Sequence, residues 1–338
     1  GDRQYHAGRA GAPPALLTYA ASASNHIADK EMIDFHPLTL ADGAWIVPLV
    51  RQSDRRNCDF CFANLMSWRF LYDTEVALHR GMLVLRFRTI GHVAYQMPVG
   101  AGSLADVVAD LIDDARQAGH AFLMLGVCDG GLERLRPYLP SHFSISQDRD
   151  YADYIYRREA LATLAGKKLQ AKRNFVNRFL RDYPDCRFTP LTPQRFAECL
   201  ALERQWSLRK TQADNADDLN DERRSMQYVL DHWNDLGAIG GALDVGGRMV
   251  AFTIGAPINA DTFDICVEKA DADVAGAYAM VNREMARLIP PQYTYVNREE
   301  DLGVEGLRQA KLSYHPEIIL YKYRIMSRHP MGGGDAVE

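Results

Sequence analysis

The sequence lacks any apolar run long enough for a helical membrane span. Its longest runs, such as Ala121–Val127 and Ile318–Tyr321, are strand-length against the ~20 residues a bilayer requires. A strong charge of either sign is also missing. The 39 Lys and Arg set against 44 Asp and Glu leave a net charge of -5, so nothing global advertises a nucleic-acid partner. Cysteine is sparse, with six residues at 58, 61, 128, 186, 199 and 266. Cys58-x-x-Cys61 is the one close pair, and neither a second CxxC nor a nearby His pair completes a zinc set. Free, buried or partly buried thiols and no metal are therefore expected, a usage that fits a reducing cytosol and a cytoplasmic location. No GxSxG, HExxH, P-loop or spaced Ser-His-Asp signature occurs, and the 10 histidines are too scattered to suggest a triad.

What is present suits an ordinary globular protein. At 338 residues, 47% hydrophobic and 25% charged, the chain can bury a sizeable core in about two domains. Residues 1–31 are rich in Ala, Gly and Ser and have no clear period. They read as a flexible leader or extension, with Met32-Ile33-Asp34-Phe35 as the start of the folded part. Residues 331–338 read as a disordered tail.

Two stretches share one grammar. In the first, Met82–Thr89 and His92–Val99 read as strands around Ile90-Gly91. Ser103 followed by Asp106 is a capping-box signature. Leu104, Val107, Val108, Leu111, Ile112, Ala115 and Ala118 then repeat at helical spacing up to a stop at Gly119. Strand Ala121–Val127, a short helix near Leu132–Tyr138 and strands Phe143–Ser146 and Tyr151–Tyr156 complete the unit. In the second stretch, Gly241–Val245 and Met249–Pro257 form a hairpin around Gly246-Gly247. Strand Thr262–Val267, a helix capped by Asp273, strand Tyr293–Asn297, helix Val304–Tyr314 and strand Glu317–Ile325 follow. The matching order predicts a duplicated α/β (α+β) fold with mixed sheets flanked by helices. Its domains are expected at 32–160 and 161–330, the second carrying a helical connector at 161–235. Helices are expected there at Leu161–Asp182, Thr192–Leu208 and Arg223–Trp233. The acid-rich Ala213–Glu222 reads as a solvated, mobile loop or as a cover over a cleft.

Three places could carry chemistry. On the connector helix, Phe175, Val176, Phe179 and Leu180 form an apolar face, while Lys167, Arg178 and Arg181 project from the opposite side. Lys168 and Lys172 line up with the apolar face instead, so they either snorkel at a domain edge or reach an anion. The second place is Asn297-Arg298-Glu299-Glu300-Asp301-Leu-Gly303, at a strand's carboxyl end, where ligands collect in open α/β sheets. Glu299, Glu300 and Asp301 are acid/base candidates if crowding raises one pKa; otherwise they merely favour a helix N-terminus. Lys311 shares a helix stripe with Val304, Leu307 and Tyr314. The third place is the strand-to-helix turn that could hold an acyl-CoA pyrophosphate on backbone amides. Glu268–Gly276 has one glycine among three acids and makes a poor cradle. Gln96-Met-Pro-Val-Gly100-Ala-Gly102 nearly matches Q/R-x-x-G-x-G/A with one residue too many, and reads first as a plain glycine-rich loop.

Gly166–Arg178 resembles the basic helix of the phosphatidylglycerol lysyltransferase C-terminal domain, of the type GKK-x-x-x-x-R-x-x-x-N-R. It fits at Gly166, Lys167, Lys168, Arg173, Asn177 and Arg178. Gly306–Pro316 is similar to the F-K-x-x-F segment shared with the Fem peptidoglycan aminoacyltransferases, with Ala310 and Tyr314 at the aromatic positions and Lys311 kept. Asn297–Pro316 and Gly166–Leu180 also resemble an uncharacterised bacterial family of soluble proteins in that superfamily. The likeness runs from Met32 to about Ile325. It implies two tandem acetyltransferase-like (GNAT-like) domains and transfer of an aminoacyl group from aminoacyl-tRNA to a lipid or peptidoglycan amine or hydroxyl.

By that resemblance, Lys168, Arg173 and Lys311 would hold phosphate of donor or acceptor, joined by Lys172, Asn297, Arg298 and Tyr314 as binding candidates. A carboxylate among Glu299, Glu300 and Asp301 would accept the acceptor's proton, a role inferred from these residues and not an established one of the family. The donor is then aminoacyl-tRNA or acyl-CoA, and the acceptor a lipid headgroup or a small molecule. Two features depart from the lysyltransferase pattern: there is no membrane region, and the acidic net charge offers no broad surface for tRNA. Two other readings stand beside this one. One is a non-catalytic binder of anions or small molecules; the other is a CoA-dependent N-acetyltransferase using the first half.

Overall fold

A computed structural model of the chain describes residues 30–210 and 216–328. The expected leader up to residue 29, the tail 331–338 and residues 213–215 of the acidic stretch lie outside them. In chain order the first half contains β1 (His36–Pro37), α1 (Gly43–Arg51), α2 (Phe62–Ser67), α3 (Arg69–Tyr72), β2 (Glu75–His79) and β3 (Met82–Thr89). It continues through β4 (His92–Gln96), β5 (Val99–Gly100), α4 (Leu104–Gln117), β6 (Leu123–Val127), α5 (Asp129–Leu135), β7 (Ser144–Gln147) and β8 (Asp153–Arg157). The second half holds α6 (Arg158–Thr163), α7 (Gln170–Asp182), β9 (Arg187–Pro190), α8 (Phe196–Lys210), α9 (Ala216–Asp231) and β10 (Ile239–Val245). It ends with β11 (Arg248–Pro257), β12 (Thr262–Ala270), α10 (Ala277–Leu288), β13 (Tyr295–Asn297), α11 (Glu305–Leu312), β14 (Ile318–Leu320) and β15 (Tyr323–Met326).

The strongest local signals hold. Ser103 Oγ accepts from the Asp106 amide, and α4 buries Val107, Val108, Leu111, Ile112 and Ala115. Gly246 and Gly247 both take positive φ, 58° and 73°, as a tight two-residue hairpin turn demands. Other boundaries move. The connector helix breaks between α6 and α7, because Leu164 and Gly166 take positive φ. Gly276, not Asp273, precedes α10; Asp273 pairs with Arg209 at 2.6 Å instead. From Ala216 on, the acidic stretch is helix α9, whose Asp217 and Asp218 sit in the first turn, where the helix dipole favours negative charge.

Both sheets are mixed. The first runs β1-β2-β3-β4-β6-β15-β7 with β5 on β3, and the second β14-β8-β13-β12-β11-β10-β9. Among the described residues, only β4–β6 and β12–β13 pair parallel. The halves exchange strands. The strand expected at Tyr151–Tyr156, to close the first unit, is β8 from Asp153 on, and it pairs with β13 and β14 of the second sheet. The expected single strand Glu317–Ile325 is two strands. β14 stays in the second sheet, while β15 crosses into the first, between β6 and β7. The crossing occurs at Tyr321-Lys322.

Packing ties the halves together. Ile46, Phe60, Phe62 and Met66 of the first half share one core with Leu202, Met226, Phe252 and Ala256 of the second. The remaining two cores lie under α4 and α5 on the first sheet, and under α6, α7 and α10 on the second. From Met32 onward the described residues form a single compact unit.

The glycine-rich turn Gly100–Gly102 has a packing job. β5 pairs Gly100 with Met82, and a Cβ on Gly102 would lie 2.2 Å from the Arg80 carbonyl oxygen. Gly102→Ala is therefore expected to cost about 1–3 kcal/mol through overpacking, read as a lower urea midpoint at unchanged m-value.

Candidate active site

The fold brings five acids to one place, where β8 pairs with both β13 and β14 beside the crossing into the first sheet. Asp153 opens β8, Glu299 and Glu300 follow β13, Asp264 lies on β12, and Asp59 comes from the loop before α2. Lys322, at the crossing between the sheets, is buried among them. Its Nζ lies 2.8 Å from Asp153 Oδ1, 3.0 Å from Glu300 Oε1 and 3.1 Å from Asp59 Oδ2. Burial alone would push this ammonium down, but Asp153 and Asp59 outweigh it and hold it well above the usual lysine range. Asp153 is fully buried and also accepts from the Cys58 amide at 2.7 Å and from Asn297 Nδ2 at 2.8 Å. Burial, with Asp153 and Asp59 nearby, raises the Glu300 carboxyl to about 7 against the pull of Lys322. The Cys58 thiol, 3.4 Å from Glu300 Oε1, is pushed up by burial and by Asp153.

A second layer centres on Asn64. Its Nδ2 donates to Glu299 Oε2 at 3.0 Å, to Asp264 Oδ2 at 3.1 Å and to the Cys58 carbonyl at 3.2 Å. Burial raises the pKa of Glu299, and burial together with Glu299 raises that of Asp264. Glu299 adopts φ 63°, a left-handed backbone held by its amide donating to Asn297 Oδ1 at 2.7 Å. Lys311 completes the turn from below: buried, it donates to the carbonyls of Arg298 at 2.6 Å and Glu300 at 2.5 Å.

Asp301 is set apart from these. It is fully buried, bonded by Arg308 at 2.8 and 3.0 Å, by the Gly303 amide at 2.9 Å, by Tyr154 Oη and by Arg149. Arg308 holds its carboxyl well below the usual carboxylate range. A depressed folded pKa adds stability above the unfolded value of ~3.9 and loses it as pH falls through the folded one. Asp301→Asn is thus expected to remove part of the wild-type loss of stability below about pH 4, measured as urea midpoints across the acid range.

Of the binding candidates, three meet, two of them basic. Arg298 donates to Glu268 Oε1 at 3.1 Å, and its Nη1 is buried without a hydrogen-bond partner among the described residues. The guanidinium stands 5.0 Å from the centre of the Tyr314 ring, and Lys172 Nζ lies 4.5 Å from the same ring. Burial and Arg298 lower the Lys172 pKa. Lys168 is exposed ahead of α7, and Arg173 is spent on the carbonyls of Leu164 and Gly166 at 2.5 and 2.9 Å. Lys172, Arg298 and Tyr314 are thus the binding candidates that the contacts bring together.

Sequence reasoning missed Lys322, Asp153, Asp59, Cys58, Asn64 and Asp264. The one signal available was a lysine and an aspartate inside otherwise apolar strand segments, since charges there need partners. Two clefts of 460 and 470 Å³ open elsewhere, between α3, α8 and α9, lined by Arg69, Arg223 and Arg224 among others; Ala216, Leu219 and Asn220 of the acid-rich stretch line them too, but none of the candidate catalytic or binding residues does.

A family model described as "Phosphatidylglycerol lysyltransferase, C-terminal" matches residues 50–326. A conserved protein of unknown function from Bacteroides thetaiotaomicron is similar at 51% identity, over 88% of this chain and 100% of that one, with a TM-score of 0.85. The C-terminal domain of a candidate lysylphosphatidylglycerol synthetase from Agrobacterium fabrum has 15% identity over 86% and 93% of the two chains and a TM-score of 0.62. FemX shares the fold at 8% identity over 87% and 97%, with a TM-score of 0.58. The chain spans about half of a curated relative, an uncharacterised protein of Mycoplasmoides gallisepticum, with 22% identity over 51% of this chain and 55% of that protein.

Proposed function

The chain belongs to the phosphatidylglycerol lysyltransferase C-terminal family, and from that premise we propose that it transfers an aminoacyl group from aminoacyl-tRNA to an amine or hydroxyl of a lipid headgroup or small molecule. Family and fold support an acyl or aminoacyl transferase in general. The narrower reading rests on the residues around β13. No helix among the described residues is long and apolar enough to cross a membrane, so the acceptor would be met at a surface or in solution.

The observation that carries the reading is Glu300. An ester donor is already activated, so the protein must align it with a nucleophile and remove one proton. A carboxyl raised to about 7 is matched to that task, being ionised in a useful fraction yet basic enough to accept. In this reading Glu300 takes the proton of the attacking amine or hydroxyl, and Lys322 and Asp59 fix its orientation. Lys311 is a positioning residue, holding the 298–300 backbone through two carbonyls. Arg298 and Lys172, flanking Tyr314, would take a phosphate of donor or acceptor; the unpartnered Nη1 of Arg298 supplies a donor for it.

The test is transfer of labelled amino acids from a mixed aminoacyl-tRNA pool to phosphatidylglycerol vesicles and to small amines. Arg298→Ala is expected to raise KM about tenfold or more with a smaller change in kcat, as loss of a charge-assisted contact made in ground and transition states alike. Absence of transfer to every acceptor, together with thermal stabilisation by acetyl-CoA, would move the activity to the first half. Against that alternative stands the turn at Gly100–Gly102, closed onto the β2–β3 hairpin.

A further inference from the structure

Two clusters of thiol and carboxylate sit side by side, and they differ in one respect. Around Cys58, Asp153 and Glu300 the ammonium of Lys322 already occupies the cation's place, within 2.8 and 3.0 Å of the two carboxylates. Around Cys61, Asp264 and Cys266 no lysine or arginine pairs with the carboxylate among the described residues. There Cys61 Sγ, a carboxylate oxygen of Asp264 and Cys266 Sγ all lie within 4.8 Å of one another. Asp264 is fully buried, its Oδ2 lies 3.3 Å from Cys266 Sγ, and its Oδ1 has no hydrogen-bond partner among the described residues. Its closest ionisable neighbour besides the thiols is a second carboxylate, Glu299, so the group is buried among acids with no ammonium or guanidinium of the described residues to offset it, where a cation would be favoured.

We propose that Cys61, Asp264 and Cys266 form a binding site for a thiophilic divalent cation of the zinc type. Asp264 and Cys266 stand two apart on β12, where the register with β11 shifts and leaves Cys266 as the extra residue between Ile265 and Val267, and their side chains meet at 3.3 Å. Cys61, at the start of α2, meets them from the first half. The 3.3 Å between Cys266 Sγ and Asp264 Oδ2 is close to the ~3.5 Å between sulfur and oxygen ligands on one tetrahedral zinc ion. Two sulfurs and one oxygen suit zinc or cobalt in preference to magnesium or calcium. Three protein ligands leave the fourth position to water. Asn64, bonded to Asp264 Oδ2, orients the carboxylate from outside. Cys266 is partly exposed and provides the entrance, while Cys61 is fully buried. The ligands bind as thiolates and carboxylate, so binding releases the protons they carry. The ion would clip the loop carrying Cys58–Asn64 to β12, joining the halves beside Glu299 without taking part in transfer.

The test uses the full chain, reduced and stripped with a chelator, then titrated with Co²⁺ and separately with Zn²⁺. A sulfur-to-cobalt charge-transfer band saturating at one equivalent is expected, as is a higher melting temperature with Zn²⁺. Cys266→Ser, at a partly exposed position, is expected to fold as wild type and to lose the band. Asn64→Ala is expected to weaken binding about 10–100-fold. Absence of both the band and the Zn²⁺-dependent stabilisation in wild type would overturn the proposal, as would a band that survives in Cys266→Ser. Native mass analysis showing Cys61 and Cys266 joined as a disulfide in the freshly isolated protein would overturn it as well.

Discussion

Lys322→Met is expected to destabilise the chain by about 3–5 kcal/mol, the size of effect that follows removal of one partner from a buried ionic cluster. Asp59, Asp153 and Glu300 all lie within 3.1 Å of the ammonium. Without it, three carboxylates face one another in a site that water reaches poorly. The pH dependence follows from the direction of the Glu300 shift. Its folded pKa, about 7, is above the ordinary glutamate value. The folded chain therefore holds a proton that the unfolded chain releases, and stability from this group is lost as pH rises through that value. Losing Lys322 raises the Glu300 pKa further, so the variant should recover part of its deficit in mild acid and be weakest in mild alkali. Guanidinium unfolding of both proteins at about pH 5 and about pH 8 tests this. Equal stability at both would show that Lys322 is not the counter-charge of the cluster.

Glu300→Gln is expected to lower kcat of aminoacyl transfer by about 10²–10⁴-fold, the usual contribution of a positioned general base. Its effect on stability should be small, since an amide keeps the shape and removes one of three crowded negative charges. In wild type, a base must be ionised to act. The rate should therefore climb with pH and level off above a pKa near 7, the value burial gives Glu300. In the glutamine variant that rise should vanish. A variant with wild-type kcat, or one that keeps the same pH profile, would remove Glu300 from the reaction. Asp301, held ionised by Arg308 and outside the cluster, should show no such rate effect.

How legible the site was depended on whether its residues were neighbours in sequence. Asn297–Asp301 could be singled out, because a strand followed by consecutive acids is a local pattern. The division of labour inside it was not visible. Glu299 turns toward Asn64, Glu300 toward Lys322 and Asp301 toward Arg308, since the left-handed residue at 299 reorients the chain between them. Cys61 and Cys266 offered no metal spacing to the eye, being 205 positions apart with only the CxxC pair near either.

By itself the sequence determined what period and chemistry encode locally: the Ser103-capped helix, the Gly246-Gly247 hairpin, the mixed α/β class and the family likeness of Gly166–Arg178 and Gly306–Pro316. Each of those is written in residues a few positions apart, where backbone geometry acts directly. Tertiary structure alone decided the exchange of β8 and β15 between sheets and the burial of Lys322 among Asp59, Asp153 and Glu300. It likewise decided that Lys172 and Arg298, not Lys168 and Arg173, flank Tyr314. Those outcomes depend on which strand completes which sheet. A strand's sequence says how it alternates, but its partner is chosen by long-range burial and by where a buried charge can find its counter-charge.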